Sequence, residues 1–231
     1  MKKALVLAAL LFLIVITTSC QKPEEITISK YFQAMKAKDR DTMAAMAAEP
    51  FAVEFKSWKL LSSDEPVSEE FGLPKMIEEM NAARKKKDDQ VLMVRDKRDL
   101  LDQLKTKLSE TRGSRAKADV QKEIAAMEAE VETETANYKR DQANYTQVKT
   151  QVENEKKMVA LSTNIEQNQE LLNGKTVTTK AHVTIDGAEG SKEYVFTLRK
   201  YELINPVTNK VHSNRYIILK IQPAEEAGAA E

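Results

Sequence analysis

Residues 124–159, IAAMEAEVETETANYKRDQANYTQVKTQVENEKKMV, decide how this chain is read. Ile124, Val131, Tyr138, Tyr145, Val152 and Val159 recur every seven residues and all six count as apolar. Val120, Met127, Glu134, Asp141, Val148 and Glu155 fill the intervening positions, half of them apolar. A seven-residue period kept over five repeats holds one stripe of a helix against a partner, the pattern of a coiled-coil seam.

The partner is sought just upstream. Ile77, Met80, Arg84, Lys87, Val91, Val94, Arg98, Leu101, Lys105 and Leu108 follow alternating steps of three and four, mixing apolar residues with long cations. Pro74 suits a first helical position. Gly113 is the one glycine between Gly72 and Gly174, so it marks the turn of an antiparallel hairpin. Charge supports the fold-back: residues 75–112 hold eleven bases and eight acids, residues 115–172 eight bases and eleven acids. Folding at Gly113 brings Arg95, Lys97 and Arg98 level with Glu128, Glu130, Glu132 and Glu134. It also sets Arg84 and Lys87 beside Asp141 inside the seam. Such charges choose a register more than they add stability. Two unrelated surface helices, or a parallel homodimer, would not require this complementarity. The second arm runs to about Leu172, outlasting the first, so Val159, Leu161, Ile165, Leu171 and Leu172 need cover elsewhere.

The flanks read differently. Ile28, Tyr31, Phe32 and Met35 follow helical spacing. Asp39-Arg40-Asp41 interrupts it, and Asp41 can cap a second helix carrying Met43 and Met46, which Pro50 ends. Phe51–Phe55 and Trp58–Leu61 read as strand or extended core. After Asn173-Gly174, Val177, Thr179, Ala181, Val183 and Ile185 alternate with polar residues, and Asp186-Gly187 and Glu189-Gly190 signal a turn. Glu193–Ile204 and Arg215–Ile221 are two further strands. Residues 223–231 are rich in Ala and Glu and read as disordered.

The first twenty residues carry an address. Lys2-Lys3 precede an apolar run from Ala4 to Ile16, too short at ~1.5 Å per residue to cross a bilayer core of ~30 Å, and so a signal segment. The run closes on Thr17-Thr18-Ser19-Cys20. This resembles the lipobox of bacterial lipoproteins, with Thr17 where that family usually has Leu. The resemblance implies cleavage between Ser19 and Cys20 and a lipid on the Cys20 sulfur, with stable anchoring from two or three acyl chains. Cys20 is the one cysteine of the chain, so neither an internal disulfide nor a thiolate metal cluster can form. Gln21 replaces the Asp that would resemble an inner-membrane retention signal, which points to the outer membrane of a Gram-negative host, facing the periplasm.

Composition removes other classes. The 231 residues carry 36 bases and 36 acids, and loss of residues 1–19 takes away only Lys2 and Lys3. A nearly neutral chain has no bulk attraction for nucleic acid. His182, on a polar strand face, and His212, in a polar loop, read as surface histidines. Met35, Met43, Met46 and Trp58 read as core. There is no phosphate loop, nucleophile elbow or metal motif, so no catalytic, cofactor or metal site is expected. The cations Lys107, Arg112, Arg115 and Lys117 make the hairpin tip basic: a solvated turn, or a contact for an acidic partner.

Tyr31-Phe32-Gln33-Ala34-Met35-Lys36-Ala37-Lys38-Asp39, together with Tyr194–Lys200 and Tyr216–Ile221, is similar to the nuclear-transport-factor-two-like superfamily. That resemblance implies a cone of curved antiparallel sheet with helices across its open side. In its ketosteroid isomerase members a tyrosine at the place of Tyr31 stabilises an oxyanion. Their general-base aspartate would fall near Phe55, where none occurs, and Glu54 would face the other way; Tyr31 therefore reads as core.

The expectation is an α+β fold: a small curved antiparallel sheet with two N-terminal helices, interrupted by a long antiparallel coiled-coil hairpin. The body would be 26–66 plus 175–222, the hairpin 67–174, the lipidated tether 20–25. The function expected is a membrane-anchored envelope protein that engages a protein partner, or itself, through the hairpin. A periplasmic adaptor of an efflux or secretion assembly, and a ligand-binding or enzymatic cone, are the rivals.

Overall fold

The computed structural model describes residues 22–51, 53–212 and 215–227. The Ser19/Cys20 cleavage and lipidation site lies outside them. The fold is α+β, with two long packed helices and a five-stranded open antiparallel sheet. The described residues fall into two units, one drawn from Met1–Glu70, Ala160–Ile165 and Asn173–Glu231, the other from Phe71–Val159 and Glu166–Leu172.

In the first unit, helix α1 spans Pro23–Ala37, with proline in its first turn and Glu24 and Glu25 at its positive end. It therefore starts inside the expected tether. Lys38, in the left-handed region at φ 56°, stops it. Asp39, rather than Asp41, caps helix α2 (Arg40–Met46): its carboxylate accepts from Thr42 N at 3.0 Å and Thr42 Oγ1 at 2.7 Å. A cap must sit just outside the first turn, and Asp41 lies within it. Among the described residues of 51–55 no strand forms, whereas strand β1 spans Ser57–Ser63.

Strand β2 (Val67–Glu70) corrects the expected boundary at residue 66. It pairs with strand β3 (Asn173–Gly187) through Glu70↔Lys175, following β1 along the same edge. Every side chain of β2 is exposed, so no apolar alternation announces it. Strand β4 (Gly190–Ile204) pairs with β3 along its full length, and strand β5 (Ile217–Pro223) completes the order β1-β3-β4-β5. Ala224–Ala227 form a helical turn, α5, where disorder was expected.

The core lies between α1, α2 and one sheet face. Ile28, Tyr31, Phe32 and Met35 of α1 and Met43 and Met46 of α2 meet Ala181, Val183 and Ile185 of β3, Phe196 and Leu198 of β4, and Ile218 of β5. The alternation read for β3 is the one observed. Segments 22–63 and 173–223, far apart in sequence, thus build one body.

In the second unit, helix α3 (Leu73–Glu110) is joined through Gly113, whose φ of +95° suits glycine, to helix α4 (Ser114–Thr163), of which the part up to Val159 belongs to this unit. Lys97 pairs with Glu130, and Lys107 with Glu123 at 3.0 Å, so the helices run antiparallel. Helix α4 stops at Thr163, not near Leu172: Asn164 and Asn168 take left-handed φ of 58° and 56°. A short 3-10 turn, Gln169–Leu171, then packs on α3, with Gln169 Nε2 donating to Lys156 O at 3.1 Å.

Candidate functional site

The α4 half of the seam lies where its heptads put it. Val120, Asp141 and Val152 are buried, and Ile124, Met127, Val131, Glu134, Tyr138, Tyr145, Val148 and Glu155 are half-buried. On α3 one of the two seam positions lies one residue away from the expected one. Met80, Lys87, Val94, Leu101 and Leu108 face inward as expected, but Ala83, Gln90, Lys97 and Leu104 alternate with them, not Arg84, Val91, Arg98 and Lys105. An apolar count prefers Val91 to Gln90. Gln90 is half-buried there, and its amide donates to the Glu134 carboxylate, where Asn137 Nδ2 also donates at 3.2 Å. A polar side chain with partners can enter a seam that an unpaired one cannot.

That displacement corrects the contact at Asp141. Its side chain is 5% exposed, and its partners are Lys86 Nζ at 3.0 Å and Arg140 Nε at 3.5 Å. Arg84 turns outward and lies 3.8 Å from Asp88. Lys87 does enter the seam, but its ammonium sits 4.8 Å from the Tyr145 ring centroid and 3.0 Å from Asp88. The hydrogen bond from Lys86 holds the Asp141 carboxyl below its ordinary range, and Glu134 is held down by Asn137 and Gln90.

Both depressed values mean stability that is present above the unfolded-state pKa and lost as pH falls through the folded-state one. Helical content of the paired helices should therefore drop on acidification below about pH 4. Asp141→Arg should lower the melting temperature by roughly 5 °C or more, since it puts a cation at a buried seam position beside Lys86 and Arg140, with no acid to pair it. Adding Lys86→Asp should recover part of that loss, whereas Arg84→Asp should not. Rescue by Arg84→Asp would sink the register.

In the body, Tyr31 is fully buried, and its hydroxyl donates to Phe51 O at 2.8 Å and accepts from Phe51 N at 2.7 Å. Burial raises its pKa, and the Phe51 bond partly offsets that. Tyr31 thus ties α1 to the segment before β1. His182 Nε2, on the inner strand β3, lies 3.3 Å from Asp64 Oδ1 in the β1–β2 connection. His212 is half-buried. Met35, Met43 and Met46 fill the core, and Trp58 is half-buried with its ring stacked on Phe32 at 4.8 Å.

One open cleft of about 760 Å³ was not foreseen. Its wall includes Ile26, Lys30, Thr42, Lys200, Arg215 and Tyr216. Arg215 is spent on structure, donating to Leu161 O and Ala45 O at 3.1 Å each. Lys200 pairs with Glu202 at 2.7 Å and sits 5.5 Å from the Tyr216 ring. The Tyr216 hydroxyl is pushed up by burial, then by the charges of Glu24 and Glu202. No sequence spacing joins residues this far apart. At the helical turn, Lys107 is paired with Glu123, while Arg112, Arg115 and Lys117 are exposed.

The geometry defines a class: an α+β body with a pair of long packed helices inserted between its second and third strands. Comparison with protein-family models, curated proteins and solved structures found no match for this chain. Among the described residues, no group of His, Cys, Asp and Glu is placed to hold a metal, and no helix is long and apolar enough to cross a membrane.

Proposed function

We propose that this chain is a lipid-anchored protein of the bacterial envelope, attached through Cys20, whose paired helices form a coiled coil that engages a protein partner or a second copy. The observation that carries this reading is how little the long helices bury. Helix α3 has 38 residues, about 57 Å at ~1.5 Å per residue, yet only Leu73, Ala83, Val94 and Leu101 are buried. A helix that long with so thin a seam adds reach and surface more than core.

The body supports a structural role over a ligand-binding cone. Phe32, Phe55, Trp58 and Phe196 occupy the space between helices and sheet, with Phe32 centroids 4.9, 4.8 and 5.8 Å from the other three rings. Helices α1 and α2 cross one face of an antiparallel sheet, which supports a resemblance to the nuclear-transport-factor-two-like superfamily.

Cys20→Ser should release the protein from the membrane fraction or leave the uncleaved precursor. A Ser variant processed and retained like wild type would refute the anchor. Photoreactive residues on exposed positions of α3 and α4, in native membranes, should give one defined adduct. Equal, diffuse labelling from the helices and from Ala188 of the β3–β4 turn would remove the interaction role.

A further inference from the structure

The first described residue, Lys22, comes two residues after Cys20, and α1 begins at Pro23. From Cys20 to Pro23 is three residues, which span at most ~11 Å. If Cys20 carries the lipid, the start of α1 lies against the bilayer, with no long tether between.

The end of the body that holds this start is identifiable. Pro23, Ile26 and Thr27 share a cleft with Lys200 and Tyr216, and the Tyr216 hydroxyl senses both Glu24 and Glu202. That is the C-terminal end of β4. The β4–β5 connection leaves from the same end, and its first stretch, Ile204–Val211, is a built structure. Ile204 bridges Val211, Asn205 N donates to Lys210 O at 3.0 Å, and Asn209 N donates to Asn205 O at 2.8 Å. The Asn205 Oδ1 accepts from Val207 N at 2.9 Å and Thr208 N at 3.1 Å.

This ordered loop holds apolar side chains in the open. Val207 is 83% exposed, Val211 68% and Ile204 43%, and Ile26 in the first turns of α1 is 40% exposed. Exposed aliphatic residues scattered singly need no explanation, but three carried by one short loop, which leaves the end of the body where α1 begins, do. Lys22, Lys30 and Lys210 stand exposed on these same segments. Apolar tips flanked by lysines suit the boundary between headgroups and acyl chains.

We propose that the Ile204–Val211 loop, with Ile26, is a second membrane contact: it dips into the bilayer that holds the Cys20 lipid and seats the body with its β3–β4 turn facing away. The occupant is the bilayer surface, because the anchor sets this end within reach of nothing else first. The proposal rests on the lipid-anchored reading above.

Thiol labelling separates the two. A thioether at Cys20 leaves the mature chain no free thiol, so wild type should take up no thiol-reactive spin label. Full-length Val207→Cys, Val211→Cys and Ala188→Cys proteins, purified from membranes, would be labelled and placed in phosphatidylethanolamine–phosphatidylglycerol vesicles. Val207 and Ala188 are exposed, so neither change disturbs packing. The register places the two ends of β4 about 45 Å apart at ~3.3 Å per residue. Labels at 207 and 211 should favour oxygen over a water-soluble nickel chelate about threefold or more relative to the label at 188. Equal ratios at the three positions overturn the loop contact while the anchor stands. Labelling of wild type at Cys20 overturns the anchor, and the loop contact with it.

Discussion

Gly174→Ala should destabilise the protein by about 4 kcal/mol or more, a large share of the ~5–15 kcal/mol typical of a native domain. Gly174 has φ +142°, and an added Cβ would lie 2.0 Å from Glu202 O, 3.0 Å from its carbonyl carbon and 3.1 Å from Leu203 Cα. All three are backbone atoms of β4, so no side chain can swing aside. The strand pair β3–β4 must part at Gly174↔Leu203, where the chain re-enters the sheet after the paired helices. Gly72, where nothing lies within 4 Å of an added Cβ and φ is −85°, is the control. Its alanine variant should stay within ~0.5 kcal/mol of wild type. Denaturant midpoints of both variants, with unchanged slopes, would measure this. A Gly174→Ala protein as stable as the Gly72→Ala protein would show the register at this end to be wrong.

Phe32→Ala should cost about 3–5 kcal/mol. Phe32 is 1% exposed and touches rings from three segments: Phe55 before β1, Trp58 on β1 and Phe196 on β4. Removing it opens a cavity where chain from before and after the inserted helices meets. Phe32→Leu should cost less, roughly 1–2 kcal/mol, since much of the volume stays. Trp58 is the chain's one tryptophan, so its emission should shift toward that of exposed indole in the Ala variant. If the Ala variant unfolds like wild type and the emission is unmoved, these segments do not share one core.

The two effects differ in how far the sequence announces them. Phe32 belongs to a helical stripe with Ile28 and Met35, and each member of such a stripe is buried for the same local reason. Gly174 reads only as a turn signal. That its missing Cβ admits the Glu202 carbonyl is a property of a strand twenty-eight residues further on.

The chain by itself determined the elements whose signal is periodic and local. The heptads of α4, the alternation of β3 and with them the α+β class follow from burial repeating at a helical or two-residue period, one residue at a time, and the turn at Gly113 from the one glycine between the two arms. Tertiary structure decided the rest. Gln90 lies in the seam because Glu134 stands opposite, and with it Arg84 turns outward and Lys86 reaches Asp141. Four consecutive cations, Arg84 to Lys87, have long flexible stems, so the partner of Asp141 depends on helix rotation and not on residue type. The exposed strand β2 and the cleft beside Tyr216 likewise exist because distant backbone supplies their partners, whereas the cap at Asp39 is local, made by Thr42 three residues on. Local periodicity carries one helix's or strand's own burial, whereas a polar contact is a relation between two elements that only their packing brings within hydrogen-bonding distance.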